Sequence, residues 1–123
     1  MYFWPEKSKK IKDDIEVDSL CGAFLIFRKI FQNQFNLFDE NYFLYLEDLD
    51  FCLKLRRQNQ KVIFSPNSKI YHKGGVSSRN IYNITQKYWY NSRKYFFKKH
   101  LKKIEALVLN IIFSIEELIF KIL

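Results

Sequence analysis

Residues 38–51 read FDENYFLYLEDLDF, and the interpretation of the whole chain turns on this stretch. Five carboxylates, Asp39, Glu40, Glu47, Asp48 and Asp50, fall here within a chain of formal net charge +8. Burial raises a carboxylate pKa and each neighbouring carboxylate raises it further, so acids set among large aromatics are costly unless a cation or a proton donor belongs beside them. Such clusters are candidates for metal binding or general base chemistry. From Glu47 the pattern becomes helical to residue 60. Leu46, Leu49, Leu53 and Leu55 give an inward face, while Lys54, Arg56, Arg57 and Gln58 face solvent. Asp48 lies in the first turn, where a negative charge meets the positive end of the helix dipole. Asp50 is two residues further on and does not share a face with it.

On the N-terminal side, residues 28–34 suggest one or two helical turns. Residues 17–27 read as a strand approach, and AFLIF at 23–27 is the continuous apolar run of a buried strand. Gly22 precedes it and offers close backbone approach or an unusual φ. Residues 1–16 form a polar leading segment without the charged leader and apolar run of a signal peptide. On the C-terminal side, residues 61–64 form a short strand, 66–68 a turn, and 69–72 a second strand ending in His72. Gly74 and Gly75, with Ser77 and Ser78, mark a loop, and a helix follows over 84–103. Ile104, Leu107, Val108, Ile111, Ile112, Ile115, Leu118, Ile119 and Ile122 then recur at helical spacing. Glu105, Asn110, Glu116, Glu117 and Lys121 interrupt this last segment, so it does not read as a membrane span.

Composition sets the frame. With 123 residues the chain is one domain in length, and 13 Phe, 8 Tyr and 48% hydrophobic residues supply a core. Only 3 Gly and 2 Pro argue against disorder. Cys21 and Cys52 make neither a disulfide framework nor a metal-ligand spacing, and read as free thiols of a reducing cytosol. The charge is uneven. Residues 1–78 hold 12 Lys/Arg against 10 Asp/Glu, and residues 79–123 hold 9 against 3. A basic tail faces phosphate, anionic lipid or nucleic acid, or is an ordinary solvated face. No recognised nucleic-acid motif accompanies it, and nucleic acid is not an expected partner.

Several residues carry possible chemistry. A carboxylate at a helix start, as at Glu47 and Asp48, accepts a proton from a bound hydroxyl or caps the helix. His72, at a strand end, ligates a divalent metal or is a histidine satisfied by backbone. No second histidine lies near it in sequence. Arg79, Arg93 and Lys94 grip phosphates or are solvated. Tyr88, Trp89, Tyr90, Tyr95, Phe96 and Phe97 are core aromatics, or sugar platforms where a ring is exposed beside the acids.

In order and spacing, these pieces resemble family 2 glycosyltransferases. GAFLIFR at 22–28 resembles that family's Gly-Ala-apolar-apolar-Arg strand. FDE at 38–40, followed by FLYLEDLD at 43–50, resembles its FDE…FxYxEDxD block. KVIFSP at 61–66, IYH at 70–72 and GG at 74–75 resemble the stretch closing the catalytic core, and residues 88–100 resemble the helix that follows. The subgroup is rhamnosyltransferase-like, and the match covers about residues 16–100.

The resemblance implies an α/β fold: the acceptor-side, C-terminal half of a GT-A domain over 17–100, with a short mixed sheet and helices. Segment 1–16 leads into it, and an amphipathic C-terminal helix over 101–123 follows. It implies inverting transfer of a sugar from a nucleotide-sugar to an acceptor hydroxyl in cell-surface glycan synthesis. Asp48 is then the catalytic base with Glu47 beside it. Gly22 and Ala23 line the sugar site, Glu47 and Asp50 position the loop or helix, with Asp50 counted among the substrate-binding residues, Arg79 and Arg93 assist electrostatically, and His72 helps hold the donor's Mg²⁺ or Mn²⁺. The family's first half, with its nucleotide pocket and DXD motif, has no counterpart here. The chain therefore reads as a fragment, a split-gene partner or a degenerate copy with an internal Met1, needing a partner chain for donor binding or serving as a non-catalytic interaction module. Lys98, Lys99, Lys102 and Lys103 before the apolar helix suggest a cytoplasmic protein peripheral on the inner membrane face, with lipid-linked acceptors. The alternative is a helix packed on the domain or on a second subunit.

Overall fold

The computed structural model describes residues 11–28, 37–73 and 82–122. The elements run β1 (Ile15–Glu16), α1 (Glu47–Arg57), β2 (Ile63–Phe64), α2 (Tyr82–His100) and α3 (Lys103–Ile122). They fall into two compact units, one of residues 1–39 and 47–74, the other of residues 40–46 and 75–123. These limits differ from the divisions at 16 and 100 read from sequence.

In the first unit, β1 pairs antiparallel with β2, Ile15 opposite Phe64 and Glu16 opposite Ile63. The Val17 amide extends the ladder, donating to the Val62 carbonyl at 2.9 Å. The short sheet expected to be mixed is thus antiparallel and two-stranded among the described residues. Phe51, Cys52, Leu55 and Val62 form the core, with Val17, Leu20, Leu25 and Leu37 packed against it. The inward face of α1 is therefore centred on Phe51, Cys52 and Leu55. Leu49 and Leu53 are only half-buried, a correction to the leucine stripe. Phe51 holds this core together, meeting Phe27 edge-on at 5.6 Å and Phe38 at 5.3 Å.

α1 ends by a mechanism visible in its sequence. Asn59 adopts a left-handed φ of 57°. Its amide donates to the Arg56 carbonyl at 2.9 Å, and the Gln60 amide to the Leu55 carbonyl at 3.0 Å. This is a Schellman motif with asparagine in the position glycine usually takes. It stops the helix at Arg57, short of the expected residue 60.

Two expected strands are not strands. Among residues 23–27, Phe24, Ile26 and Phe27 are 46%, 80% and 37% exposed, and only Leu25 packs on the core. Residues 69–72 are likewise irregular, with Ile70 and Tyr71 exposed. A strand forms only where a neighbour satisfies its amides and carbonyls, and neither run has a ladder partner among the described residues. The helical turns expected over 28–34 fall almost wholly outside the described residues, as do Gly74, Gly75 and most of the leading segment.

The second unit is a helical hairpin with a loop laid on it. α2 stops at His100, and α3 begins after Leu101 and Lys102. The sequence pattern carried the first helix on to residue 103, but the break has a local cause. The Lys102 amide donates to Glu105 Oε2 at 3.1 Å, the reaching-back half of a capping box that opens a new helix. The two helices run antiparallel. Arg93 pairs with Glu116 at 3.0 Å, Lys94 with Glu117 at 2.8 Å, and Phe97 stacks on Phe113 at 5.4 Å. From the ion pairs at 93/116 and 94/117 to the ring contact at 97/113, partners move up one helix and down the other.

Residues 40–46 pack on α2 through aromatics. Tyr42 meets Tyr95 edge-on at 4.9 Å, Phe43 lies against Tyr88 at 4.3 Å, and Tyr45 meets Trp89 at 5.6 Å. Ser92 Oγ donates to the Leu44 carbonyl at 2.7 Å. Tyr88, Trp89 and Tyr95 thus serve packing, as the core alternative supposed. Tyr45 and Leu46 both carry left-handed φ, 71° and 67°. Each such non-glycine residue costs about 1 kcal/mol or more, and the ring contact of Tyr45 and the burial of Leu46 hold the conformation. No described helix is long and apolar enough to cross a membrane.

Candidate functional site

The first turn of α1 carries Glu47, Asp48 and Asp50. Three neighbouring carboxylates meet three different environments. Asp48 is half-buried, and both its oxygens are held by backbone amides. Gly22 N–H donates to Oδ2 at 2.7 Å, and Leu49 N–H donates to Oδ1 at 2.7 Å. The second bond satisfies a first-turn amide that has no helical partner, so Asp48 does serve the helix start. A carboxylate has about four lone-pair sites and these bonds use two, leaving acceptor capacity for a ligand.

Asp48 also lines a cavity of about 430 Å³, a volume of the order of a small-molecule site. His72 and Ala23 line the same cavity, with Leu49, Ile63 and Ile70 among its apolar walls. His72 is exposed at its rim. The carboxylate and the imidazole predicted from separate stretches therefore share one space. Gly22 stands behind Asp48. A Cβ built on it would lie 3.4 Å from Asp48 Cβ and 3.5 Å from Oδ2. Its φ is not in the left-handed region, so of the two roles read for this glycine the structure has the close approach.

The remaining expected site residues lie elsewhere. Asp50 is fully buried, and its Oδ2 pairs with Lys54 Nζ at 3.0 Å, one helical turn on. A carboxylate closed off in this way suits the expected positioning of the helix and does not present itself for direct contact with a ligand. Glu47 is half-buried, and its Oε2 is a buried atom without a hydrogen-bond partner among the described residues. Leaving such an oxygen unsatisfied costs about 1–3 kcal/mol. Arg93 is committed within the helical hairpin. Its Nη1 donates to both oxygens of Glu116 at 3.0 and 3.2 Å, and its guanidinium lies 4.0 Å from the Phe113 ring centroid. That placement corrects the substrate-gripping role, because the charge is already neutralised and stacked. Lys94 is engaged by Glu117 in the same way. Arg79 lies outside the described residues.

Ser19, Cys21, Ser65 and Ser68 also line the cavity, although the sequence alone marks Cys21 only as a free thiol and Ser68 only as part of a turn. The turn at 66–68 was the local signal nearest to Ser65 and Ser68. Cys21 is exposed and Cys52 buried, both free thiols. Burial pushes the Cys52 thiol up, with the nearby Asp48 charge adding to the shift.

No group of three His, Cys, Asp or Glu side chains that could hold a metal ion occurs among the described residues. His72 is one ligand at most, so the described residues alone do not fit a divalent cation.

No family model matches the chain, and no solved structure matches it. Over 75 residues the chain is 29% identical to the rhamnosyltransferase WbbL of Escherichia coli (strain K12), a stretch covering 61% of this chain and 28% of that protein. The chain thus spans under a third of this curated relative. The partial similarity indicates a relation to glycosyltransferases and no more specific activity.

Proposed function

We propose that this chain carries the acceptor-activating part of an inverting glycosyltransferase of GT-A type, transferring a sugar from a nucleotide-sugar to an acceptor hydroxyl. The observation that supports this most is the placing of the Asp48 carboxylate on the wall of a cavity that His72 also lines. The partial similarity to a rhamnosyltransferase supports the class of reaction.

In this reading Asp48 accepts the proton of the acceptor hydroxyl as that oxygen attacks the anomeric carbon. The new carbon–oxygen bond forms on the face opposite the leaving group. The bond to the diphosphate breaks, and the nucleoside diphosphate departs with the bonding pair. A positioned base contributes about 10²–10⁴-fold. The two backbone amides fix the carboxylate's orientation, which favours proton transfer by reducing reorganisation. The apolar walls exclude water from the acceptor. A divalent cation on the donor's diphosphate would need ligands beyond His72 from outside the described residues, as would the nucleotide pocket, and no step is assigned to it. The test is sugar transfer by the enzyme that contains this segment, with Asp48→Asn. Loss of transfer by two orders of magnitude or more is expected, and ordinary turnover by the variant sinks the assignment.

A second reading, a non-catalytic interaction module, draws on the exposed apolar face of α3. Calorimetry with a nucleoside diphosphate and Mg²⁺ separates the two. Heat of binding by the chain with its donor-side partner favours the enzyme, and none favours the module.

A further inference from the structure

We propose that the outward face of α3 is a homodimer seam on which two copies of this chain pack their third helices antiparallel. α3 is amphipathic in an unusual sense: its covered side is only partly apolar and its open side is almost wholly so. Ala106, Phe113 and Glu117 turn toward α2, Ala106 and Phe113 being buried and Glu117 bound to Lys94. On the other side Ile104, Leu107, Val108, Ile111, Ile112, Ile115, Leu118, Ile119 and Ile122 are each more than half exposed. Contiguous apolar patches beyond a few hundred Å² are uncommon on a monomer and mark interaction surfaces.

The spacing says what the surface fits. Ile104, Val108, Ile111, Ile115, Leu118 and Ile122 alternate at intervals of four and three residues, the a and d positions of a heptad. Ile112 and Ile119 fall at e, widening the seam to the a/d/e stripe of a helix that packs on other helices. Nine aliphatic side chains, each more than half exposed, run the length of the helix, an apolar strip of the kind a partner helix covers in the core of an interface.

Charge chooses the orientation. Lys98, Lys99, Lys102 and Lys103 gather at the hairpin turn. Parallel packing would bring eight cations together. Antiparallel packing places the two clusters at opposite ends of a helix about 30 Å long, well beyond the Debye length of about 8 Å at physiological salt. About a two-fold axis through the middle of the stripe, Ile111 meets the partner's Ile115, Val108 the partner's Leu118, and Ile104 the partner's Ile122. Every layer then pairs an a with a d residue, and the contact is isologous and closed. A lipid surface suits this face less well. An interfacial helix keeps a lysine-rich side in water opposite its apolar side, whereas here that opposite side is occupied by α2.

The test is the oligomeric state of the full chain by sedimentation velocity, with disulfide trapping in a Cys21→Ser background. The expected mass is twice 15.1 kDa, falling to 15.1 kDa for Ile111→Glu with Ile115→Glu while circular dichroism keeps its helical signal. Val108→Cys combined with Leu118→Cys should cross-link two chains, and Val108→Cys alone should not. A monomer at every concentration overturns the proposal. So does cross-linking by Val108→Cys alone, and so does a monomer that co-sediments with anionic phospholipid vesicles through this face.

Discussion

The Gly22 amide donates to Asp48 Oδ2 at 2.7 Å, joining two points 26 residues apart in the chain. With Leu49 N–H on the other oxygen, the carboxylate is fixed from two sides by backbone and needs no side-chain partner to orient it.

Asp48→Asn keeps the size of the side chain but replaces one acceptor oxygen with an amide nitrogen, so one of the two backbone donors loses its partner. Hydrogen bonds to charged groups are worth about 1.5–3 kcal/mol, and partial exposure lowers this to about 1 kcal/mol here. Chemical denaturation should show that loss in the same variant that loses transfer. Gly22→Ala should stay within about 0.5 kcal/mol of the parent, since an added Cβ meets Asp48 at ordinary van der Waals distance. Gly22→Pro removes the donor and should reproduce the Asp48→Asn deficit. Equal stability of both glycine variants would show that the amide contributes nothing.

Asn59 holds a left-handed conformation at the end of α1. Asn59→Gly should be neutral or stabilise by up to about 1 kcal/mol, and Asn59→Val should destabilise by about 1 kcal/mol or more. Urea midpoints ordered the other way would contradict the cap geometry.

Cys52 is pushed up from the ordinary thiol value of 9.0, first by burial and then by the Asp48 charge. The folded state therefore keeps its proton after the unfolded chain has begun to lose it. The stability this gives is full below the ordinary thiol value and declines as pH rises through it toward the folded-state value, by up to about 1.4 kcal/mol per pH unit. Subtracting the pH dependence of Cys52→Ala from that of the parent should isolate this slope. At neutral pH a thiol reagent should modify Cys21 quickly and Cys52 only on unfolding. Rapid labelling of both would place Cys52 at the surface.

Arg93 joins α2 to α3 by charge and by stacking. Glu116 is half exposed, so their ion pair is worth about 1 kcal/mol or less. Arg93→Lys should lose the planar stack on Phe113 as well and destabilise more than Glu116→Gln does. The melting curves of the two variants check this, and the reverse order would assign the interaction to charge alone.

Much of the helical structure was legible in the sequence. The helical spacing over 47–57 and 104–122 survives in the fold, but α1 buries Phe51, Cys52 and Leu55 and α3 leaves its apolar stripe exposed, while Asn59 and Glu105 mark the ends by local chemistry. The strands were less legible. AFLIF at 23–27 has the composition of a buried strand, but composition cannot supply a ladder partner. Tyr45 and Leu46 gave no sign of left-handed backbone, since neither residue type favours it and only their packing sustains it. Arg93 resembled a phosphate-gripping residue because its partner, Glu116, lies 23 residues away and emerges only from the hairpin. The meeting of Asp48 and His72 at one cavity had no local signal at all. Only the family resemblance brought the two together in advance.

Because residues 40–46 belong with the helical hairpin while residues 47–74 belong with α1 and the sheet, the backbone passes between the units at 39/40, at 46/47 and again at 74/75. Neither unit is a continuous piece of chain. Severing at 46/47 yields two products that each contain parts of both units, and severing at 39/40 or 74/75 divides one unit between the products, so no single cut separates the two units. Domain transplantation would likewise have to carry the two stretches of a unit as an interleaved set, and a single recombination crossover at 46/47 would scramble both units at once.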